Sequence, residues 1–202
     1  MAERRQKLVE EYYKNKIKDV EILVDNVWDP HNVAAISRTA DGFGISKINL
    51  HYTYNKFPDV EKSGNSMTFR APQDSKRQES FSMERVGKKS SSSANKWIKF
   101  SKVDDLKKFV SAKKNEGFVF IGADFSKNSI DLTKFKFPKK CIVVLGAESD
   151  GLSDEVKKIC DSFVFVPMVG MVESYNVSVV AGIVMYEVFK QKGNKLRHKD
   201  FS

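Results

Sequence analysis

The apolar run Cys141–Leu145 constrains the fold of this chain more than any other feature of its sequence. A run of this length without alternating polar residues indicates a strand that is buried on both faces, and such strands belong mostly to parallel sheets. Gly146 follows the run directly, so the chain can turn where the strand ends. The run therefore predicts an interior strand of a parallel sheet with helices around it.

Other strand-like segments alternate with helical patterns along the chain. Asp29 and Pro30 form a typical helix start, with Asp as the N-cap and Pro at the first helical position, and Gly44 supplies the stop. The alternation predicts an α/β fold, a mostly parallel sheet with flanking helices. We expect strands at 20–24, 47–52, 97–100, 118–123, 141–145 and 163–166, and helices at 3–16, 29–43, 103–114, from Ser153, and at 175–190.

No composition shift or linker divides the chain into two domains. We expect a single domain over 1–202, extended by an N-terminal helix (about 1–18) and a basic C-terminal tail (about 191–202). Residues 55–95 show little periodicity, and the lysine- and serine-rich stretch 88–93 predicts a mobile basic loop.

The charge balance favours a polyanionic partner. The chain has 35 Lys and Arg against 26 Asp and Glu, an excess of nine positive charges. Such an excess points to RNA or DNA first and to an anionic membrane second, and a lysine-rich protein without such a partner fits about as well. No run of 18 apolar residues occurs and the N-terminus lacks the apolar core of a signal peptide, so no membrane association is expected.

The two cysteines, Cys141 and Cys160, are too few for a disulfide framework or a cysteine-based metal site. We expect buried thiols in a reducing compartment, which indicates the cytoplasm, and no metal.

Three segments that follow predicted strands carry residues suited to chemistry, and ligands bind at that edge of an α/β sheet. In the first, 26–44, Arg38 has small neighbours at Ala34, Ala35 and Gly42, which leave room for a phosphate; a surface arginine paired with Asp41 is the alternative. In the second, 145–153, a Gly-x-Glu-x-x-Gly loop contains two acids, which suits ribose hydroxyls or a cationic ligand better than a phosphate; a plain strand-to-helix turn is the alternative. In the third, 166–182, Ser174 is an N-cap candidate and Asn176 lies in the first helical turn.

Together and in this order, the three segments resemble the SPOUT superfamily of RNA methyltransferases. They read Asn26-x-x-Asp-Pro-His-Asn-x-x-Ala-x-x-Arg-Thr39, then Leu145-Gly-x-Glu-x-x-Gly-Leu-Ser153, then Pro167-Met-x-Gly-x-x-x-Ser-Tyr-Asn-Val-Ser178. The likeness is greatest to the branch that contains tRNA guanosine-18 ribose 2′-O-methyltransferase. Tyr175 stands where the family usually has Leu, and Asp124 where many members have Thr.

The resemblance implies a fold, an activity and a cofactor. The fold is an α/β sheet whose C-terminal segment forms a deep trefoil knot. The activity is methylation of an RNA ribose 2′-oxygen, with guanosine 18 of tRNA as the expected target, by a homodimer that uses S-adenosylmethionine. The resemblance implies that the cofactor is bound by Ala123, Asp124, Gly146, Ala147, Glu148, Ser149, Asp150, Val166, Met168, Tyr175 and Asn176.

The same resemblance implies roles in catalysis. The family's arginine, here Arg38, is assigned to activation of the 2′-hydroxyl together with a substrate phosphate. A guanidinium with a pKa above ~12 is a poor base, so the physical role that we expect is orientation of the phosphate and stabilisation of the developing alkoxide. Asn32, Glu148, Ser174 and Asn176 would hold Arg38 and the ribose in place.

RNA capture is expected at basic ends and loops, although each of these residues is also compatible with a solvated charge. The same fold acting on ribosomal RNA or on a tRNA anticodon-loop ribose is an alternative, and so is a non-catalytic RNA-binding protein. The expected RNA contacts are Arg4, Arg5, Lys7, Lys88, Lys89, Lys195, Arg197, His198 and Lys199.

Overall fold

The structure is a computed structural model. It describes residues 6, 10, 13–53 and 97–193, together with the backbone of 59–63 and 66–70. Residues 6, 10, 13 and 14 are helical, in agreement with the helix predicted at 3–16. Residues 15 and 16 are not helical, so the helix ends earlier than predicted. Its residues 3–5, 7–9, 11 and 12, the basic stretch 88–93 and the tail from 194 onward lie outside the described residues.

A parallel sheet organises the described part of the chain. The elements are β1 (Val20–Asp25), α1 (Pro30–Gly42), β2 (Lys47–His51), β3 (Asp59–Ser63), β4 (Ser66–Arg70), β5 (Lys99–Val103), α2 (Leu106–Asn115), β6 (Val119–Ala123), β7 (Ile130–Asp131), β8 (Cys141–Leu145), α3 (Asp154–Ile159), β9 (Ser162–Phe165) and α4 (Val177–Lys192). The seven strands of the sheet lie in the order β5-β2-β1-β8-β6-β9-β7, and every neighbouring pair within those described residues is parallel. The predicted α/β fold with a mostly parallel sheet is therefore confirmed.

Strand β8 lies inside the sheet, between β1 and β6, and all five of its residues are buried. Its alternate side chains enter two different cores. Val143 and Leu145 pack in the cluster that includes residues of α1 and α4. Ile142 and Val144 pack in the cluster that includes residues of α2 and α3. Because each fully buried side chain of this size stabilises the fold by roughly 1.5–3 kcal/mol, these four side chains stabilise both cores.

The ends of α1 and α3 lie where the sequence predicts them. Asp29 accepts a hydrogen bond from the backbone N–H of His31 at 2.8 Å, and Pro30 is the first helical residue. Gly44 follows α1 with a φ of 75°, a conformation that glycine adopts without steric cost. Ser153 accepts from the backbone N–H of Val156 at 3.4 Å and caps α3.

Helix α4 begins later than predicted. Its N-cap is Asn176, which accepts from the backbone N–H of Ser178 at 2.8 Å, and its first helical residue is Val177. Ser174 lies two residues before this cap, so the expectation that Ser174 caps the helix is wrong.

Two further segments differ from the sequence prediction. The strand expected at 97–100 lies at Lys99–Val103, because parallel pairing with β2 extends from Lys47↔Lys99 to His51↔Val103. Helix α2 therefore begins only after Val103, with Asp105 as its N-cap. Within 55–95, where little periodicity is visible, β3 and β4 form an antiparallel pair.

A buried ion cluster holds the first half of β1, at the end of the strand opposite to the loops described below. The Glu21 side chain is 7% exposed, and its Oε1 lies 2.8 Å from Nζ of Lys113 and 3.1 Å from Nζ of Lys47. Asn49 donates to its second carboxylate oxygen at 2.9 Å. The cluster ties β1 to β2 and α2.

Cys141 is buried and Cys160 is half-buried, and both thiols are free. Burial raises the pKa of Cys141 to about 11 and that of Cys160 to about 12, so both remain protonated at neutral pH. Among the described helices, none is long and apolar enough to cross a membrane.

Candidate active site

The site is formed by three loops at the carboxyl edge of the parallel sheet. They follow β1, β8 and β9, and they contain the three segments that the sequence singles out. In a parallel sheet these strand ends share one edge, so segments distant in sequence meet there.

Three polar side chains, one from each segment, form a hydrogen-bonded series. The Asn32 amide donates to Glu148 Oε1, and the Asn176 amide donates to Asn32 Oδ1 at 3.1 Å. Asn176 Oδ1 in turn accepts from the backbone N–H of Ser178, so its orientation is fixed by the start of α4. The structure therefore brings together Asn32, Glu148 and Asn176, although Glu148 and Asn176 lie 116 and 144 residues after Asn32 in the sequence.

The second oxygen of Glu148 is buried and has no hydrogen-bond partner in the part of the chain that the structure describes. A buried acceptor without a donor costs about 1–3 kcal/mol. A ligand that brings a hydroxyl, an N–H group or a positive charge to this oxygen would recover that free energy.

A cavity of about 440 Å³ lies beside this series. Its volume is within the range of small-molecule and cofactor sites. Ser174 also lines it, whereas Asn176 is outside the lining and contacts Asn32. The predicted cofactor residues that line the cavity are Ala123, Asp124, Gly146, Ala147, Glu148, Ser149, Asp150, Val166, Met168 and Tyr175.

The cavity is acidic. Its lining includes four carboxylates, those of Asp124, Glu148, Asp150 and Glu173, and no Lys or Arg among the described residues that form it. Lys157 approaches Asp124 only to 3.9 Å. This charge disfavours a bound phosphate and favours a cationic ligand or one rich in hydroxyl groups.

The loop after β8 is closed by its own backbone. Ala147 and Gly151 exchange two hydrogen bonds, at 2.9 and 3.0 Å, and Gly151 has a φ of 66°. A Cβ atom on Gly146 would lie 2.2 Å from the carbonyl carbon of Gly151. Only glycine at position 146 therefore permits this tight loop, which lines the cavity and carries Glu148.

A family model described as the SpoU rRNA Methylase family matches residues 74–186, more than half of the chain. The chain belongs to this family.

Relatives of this SpoU chain share most of its length. A tRNA (guanosine(18)-2′-O)-methyltransferase of Aquifex aeolicus is 29% identical over 96% of this chain and 80% of its own length. A protein of the same name from Thermus thermophilus is 27% identical over 95% of this chain and 84% of its own length.

Solved structures show the same architecture. The Aquifex aeolicus TrmH/SpoU tRNA modifying enzyme superposes with a TM-score of 0.74 and 28% identity, covering 94% of this chain and 83% of that one. The SpoU methyltransferase AviRb of Streptomyces viridochromogenes, in complex with AdoMet, has a TM-score of 0.66 and 23% identity, covering 85% of this chain and 59% of that one. The second likeness concerns the fold alone.

Arg38 is on the same helix as the Asn32–Glu148–Asn176 series but not in the cavity lining. It lies in α1, six residues after Asn32 and so about 9 Å farther along the helix axis. Its side chain is exposed. The next residue, Thr39, faces Gly182 of α4. Arg38 is therefore positioned outside the cavity, where a large substrate has access to it.

Sequence reasoning missed polar residues beneath this SpoU site. Asp25 and His51 end β1 and β2, and they are 0% and 3% exposed. The Tyr52 hydroxyl donates to the carbonyl of Val27 at 2.5 Å, and burial, with a further contribution from Glu148, raises the pKa of Tyr52. An acid directly after the apolar residues 22–24 was the available signal for Asp25.

The predicted RNA contacts fall at the two ends of the chain and in the basic stretch. All nine of them lie outside the described residues, so they stay predictions: Arg4, Arg5, Lys7, Lys88, Lys89, Lys195, Arg197, His198 and Lys199.

Proposed function

We propose that this SpoU-family chain is an enzyme that transfers a methyl group from S-adenosylmethionine to a ribose 2′-oxygen of RNA, with guanosine 18 of tRNA as its target. The observation that carries the proposal is the Asn32–Glu148–Asn176 series beside an acidic cavity. The relatives named for tRNA guanosine-18 methylation, which align with nearly the whole chain, support the choice of substrate.

The cavity fits S-adenosylmethionine by charge and by hydrogen bonding. When bound, this cofactor supplies a methyl group that is already activated by a positively charged sulfur. The carboxylates of Asp124, Asp150 and Glu173 favour that charge. Glu148 Oε2 offers a buried acceptor, and the loop 146–151 brings backbone groups close to the cavity.

Residues in and beside the cavity position the RNA. Arg38 binds a phosphate next to the target ribose and stabilises the negative charge that develops on the 2′-oxygen. Asn32 and Asn176 hold the ribose and fix Glu148. Ser174, which is exposed at the cavity, orients the same ribose. Transfer also requires the 2′-oxygen to lie in line with the donor methyl group. As the O–CH₃ bond replaced the S–CH₃ bond, the hydroxyl proton would be released to solvent.

The proposal includes a homodimer built on α4. Val179, Ile183 and Tyr186 are 48%, 37% and 54% exposed, and their spacing places them on one side of the helix. Ala181 and Gly182, the small residues of α4, are not part of this stripe, because Ala181 is buried in the core of the same chain and Gly182 faces Thr39. The exposed apolar stripe fits a second copy of the chain, and a symmetric dimer would double the basic surface for RNA.

Four further expectations belong to this proposal. The C-terminal segment is threaded as a trefoil knot, residues 1–202 form one domain, and the enzyme acts in the cytoplasm. The basic ends and the 88–93 stretch contact RNA phosphates, in keeping with the excess of nine positive charges.

Ribosomal RNA is the second candidate substrate. The family description names rRNA, and a relative from Staphylococcus saprophyticus, 28% identical over 85% of this chain, is named a putative TrmH family tRNA/rRNA methyltransferase. Methylation of a tRNA anticodon-loop ribose, or RNA binding without catalysis, are further alternatives.

The substrate is tested with unmodified RNAs and methyl-labelled S-adenosylmethionine. We expect label in a tRNA transcript and none when guanosine 18 of that transcript is replaced by adenosine. Label in ribosomal RNA but not in tRNA would assign the second candidate, and label that survives the replacement would contradict guanosine 18. RNA binding without any label would leave the non-catalytic alternative.

A further inference from the structure

Asp25 is a fully buried carboxylate at the last position of β1, directly beneath the site. Its Oδ1 accepts from Asn26 Nδ2 at 2.9 Å and lies 2.8 Å from Nδ1 of His51. Its Oδ2 accepts from the backbone N–H of Ser153 at 2.8 Å. Asp25 is outside the cavity lining and contacts none of the residues assigned above to catalysis.

The three partners of Asp25 lie in different segments at the carboxyl edge of the sheet. His51 ends β2, the neighbouring strand, and is 3% exposed. Asn26 has a φ of 54°, and its side chain also bonds Thr53 through both its oxygen and its nitrogen. Ser153 caps α3 and is two residues beyond Gly151, where the closed cavity loop ends.

We infer that Asp25 is a positioning residue for methyl transfer. It anchors the far end of the loop 146–153, and so fixes Glu148 relative to Asn32 and to the cofactor cavity. The inference rests on the proposed function, because it concerns the place of the loop that would hold S-adenosylmethionine.

An aspartate suits this position because it can only accept hydrogen bonds. The Ser153 N–H is on one side of the carboxylate, and the Asn26 amide, which is a donor, is on the other. An asparagine at position 25 has one oxygen and one NH₂ group. Its NH₂ group would therefore face either the Ser153 N–H or the Asn26 amide, and no hydrogen bond could form on that side. Asp25→Asn therefore preserves size and shape while it disturbs the link to the loop.

Strand β1 offers a matched control. Glu21 is also a buried carboxylate with three donors, but it lies near the opposite end of the strand, among Lys47, Lys113 and Asn49. Glu21→Gln removes a buried charge from the same strand without touching the carboxyl edge.

The experiment compares Asp25→Asn with Glu21→Gln in the full chain, at a temperature where both are folded. We expect Asp25→Asn to weaken S-adenosylmethionine binding, measured by calorimetry, by about tenfold and to lower kcat by at least as much, since a displacement of about 1 Å at a site can cost as much as 10²-fold. Glu21→Gln should lower Tm yet keep Kd and kcat.

A second pair of variants tests the backbone contact itself. Ser153→Pro and Ser153→Ala both lose the capping hydroxyl, but only the proline variant loses the backbone N–H that donates a hydrogen bond to Asp25. The φ of Ser153, −63°, lies within the range of proline. We expect faster hydrogen exchange over 146–152 and weaker cofactor binding in Ser153→Pro than in Ser153→Ala.

The outcomes separate this inference from the proposed function. Wild type that binds the cofactor, together with Asp25→Asn that binds and turns over equally well, would overturn the inference alone. An equal loss of binding in Asp25→Asn and Glu21→Gln would also overturn it, because the effect would then be one of stability. Wild type without affinity for S-adenosylmethionine would overturn the proposed function, and the inference with it.

Discussion

At the scale of single residues, Glu148 connects the stability of this protein with its chemistry. One carboxylate oxygen bonds Asn32, and the other is buried without a donor in the described part of the chain. A buried polar group without a partner is often found where a bound ligand supplies the missing hydrogen bond. Replacing such a group often stabilises a protein but lowers its activity.

Glu148→Gln tests this connection. The variant removes the buried charge, so we expect the free energy of unfolding to stay the same or to rise by about 1 kcal/mol. Cofactor affinity and turnover should both fall, because the amide cannot offer two acceptor oxygens. Thermal unfolding and calorimetry measure the two effects, and Glu155→Gln, an exposed acid in the first turn of α3, is the control. A variant that is less stable but fully active would contradict the role of Glu148.

Arg38→Ala tests the catalytic cation. Because Arg38 is exposed and outside the cavity, we expect cofactor affinity near that of wild type. Turnover should fall by about 10² or more, the usual cost of losing a preorganised group that stabilises developing charge. Arg38→Lys keeps the charge but not the planar, bidentate geometry and should recover only part of the rate. Wild-type turnover by Arg38→Ala in single-turnover assays would show that the assigned role is wrong.

The sequence was enough to select candidate site residues but not to predict the contacts between them. Asn32, Glu148 and Asn176 are candidates because polar residues follow predicted strands, but only the folded chain shows that they bond in series. The contact between Asp25 and His51 joins neighbouring strands, so no local sequence pattern could predict it.

At the scale of elements, the loop after β8 and the helix α4 have different physical requirements. The loop needs glycine, since its backbone approaches itself too closely for a Cβ at position 146. Helix α4 buries one side and leaves an apolar stripe exposed on another. The glycine in the loop shapes the cavity, whereas the exposed stripe of α4 bears on the proposed dimer.

Gly146→Ala tests the loop. A methyl group there would lie 2.2 Å from the Gly151 backbone, so the loop must open. We expect a loss of about 1–3 kcal/mol in stability, the usual cost of overpacking, together with weaker cofactor binding. Gly170→Ala is the matched control, because no described atom beyond its chain neighbours lies within 4 Å of the Cβ that alanine would add. Equal binding by both alanine variants would contradict the proposed geometry.

Ile183→Asp tests the dimer. A charge in the middle of the stripe should prevent association, and sedimentation equilibrium should then show a monomer, whereas wild type sediments as a dimer. Ile130→Asp places the same change on β7, at a side chain that is 43% exposed against 37% for Ile183, and should leave the dimer intact. A monomeric wild type, or a dimeric Ile183→Asp variant, would rule out this interface.

Element boundaries show where local signals fail. The caps of α1 and α3 could be predicted because a side chain and its nearest backbone N–H groups decide them. The start of β5 could not, because pairing with β2 determines it. The two-residue strand β7 is likewise defined by its pairing with β9 rather than by its own residues.

At the scale of the whole molecule, the continuous apolar run of β8 and the alternation of strands with helices were enough to predict an α/β fold with a parallel sheet. The order of the strands was not predictable from periodicity, because it depends on which crossovers the helices allow. The acidic cavity suits a cationic methyl donor, and the excess of nine positive charges over the whole chain suits RNA.

Nucleoside analysis of the methylated product tests directly whether this protein methylates a ribose of tRNA. Purified protein is incubated with methyl-labelled S-adenosylmethionine and unmodified tRNA, the RNA is digested to nucleosides, and the labelled nucleoside is identified by mass spectrometry. We expect a single labelled product, 2′-O-methylguanosine, whose formation slows by about 10² or more in the Arg38→Ala variant. A label on a base, or no label in any RNA despite bound cofactor, would contradict it.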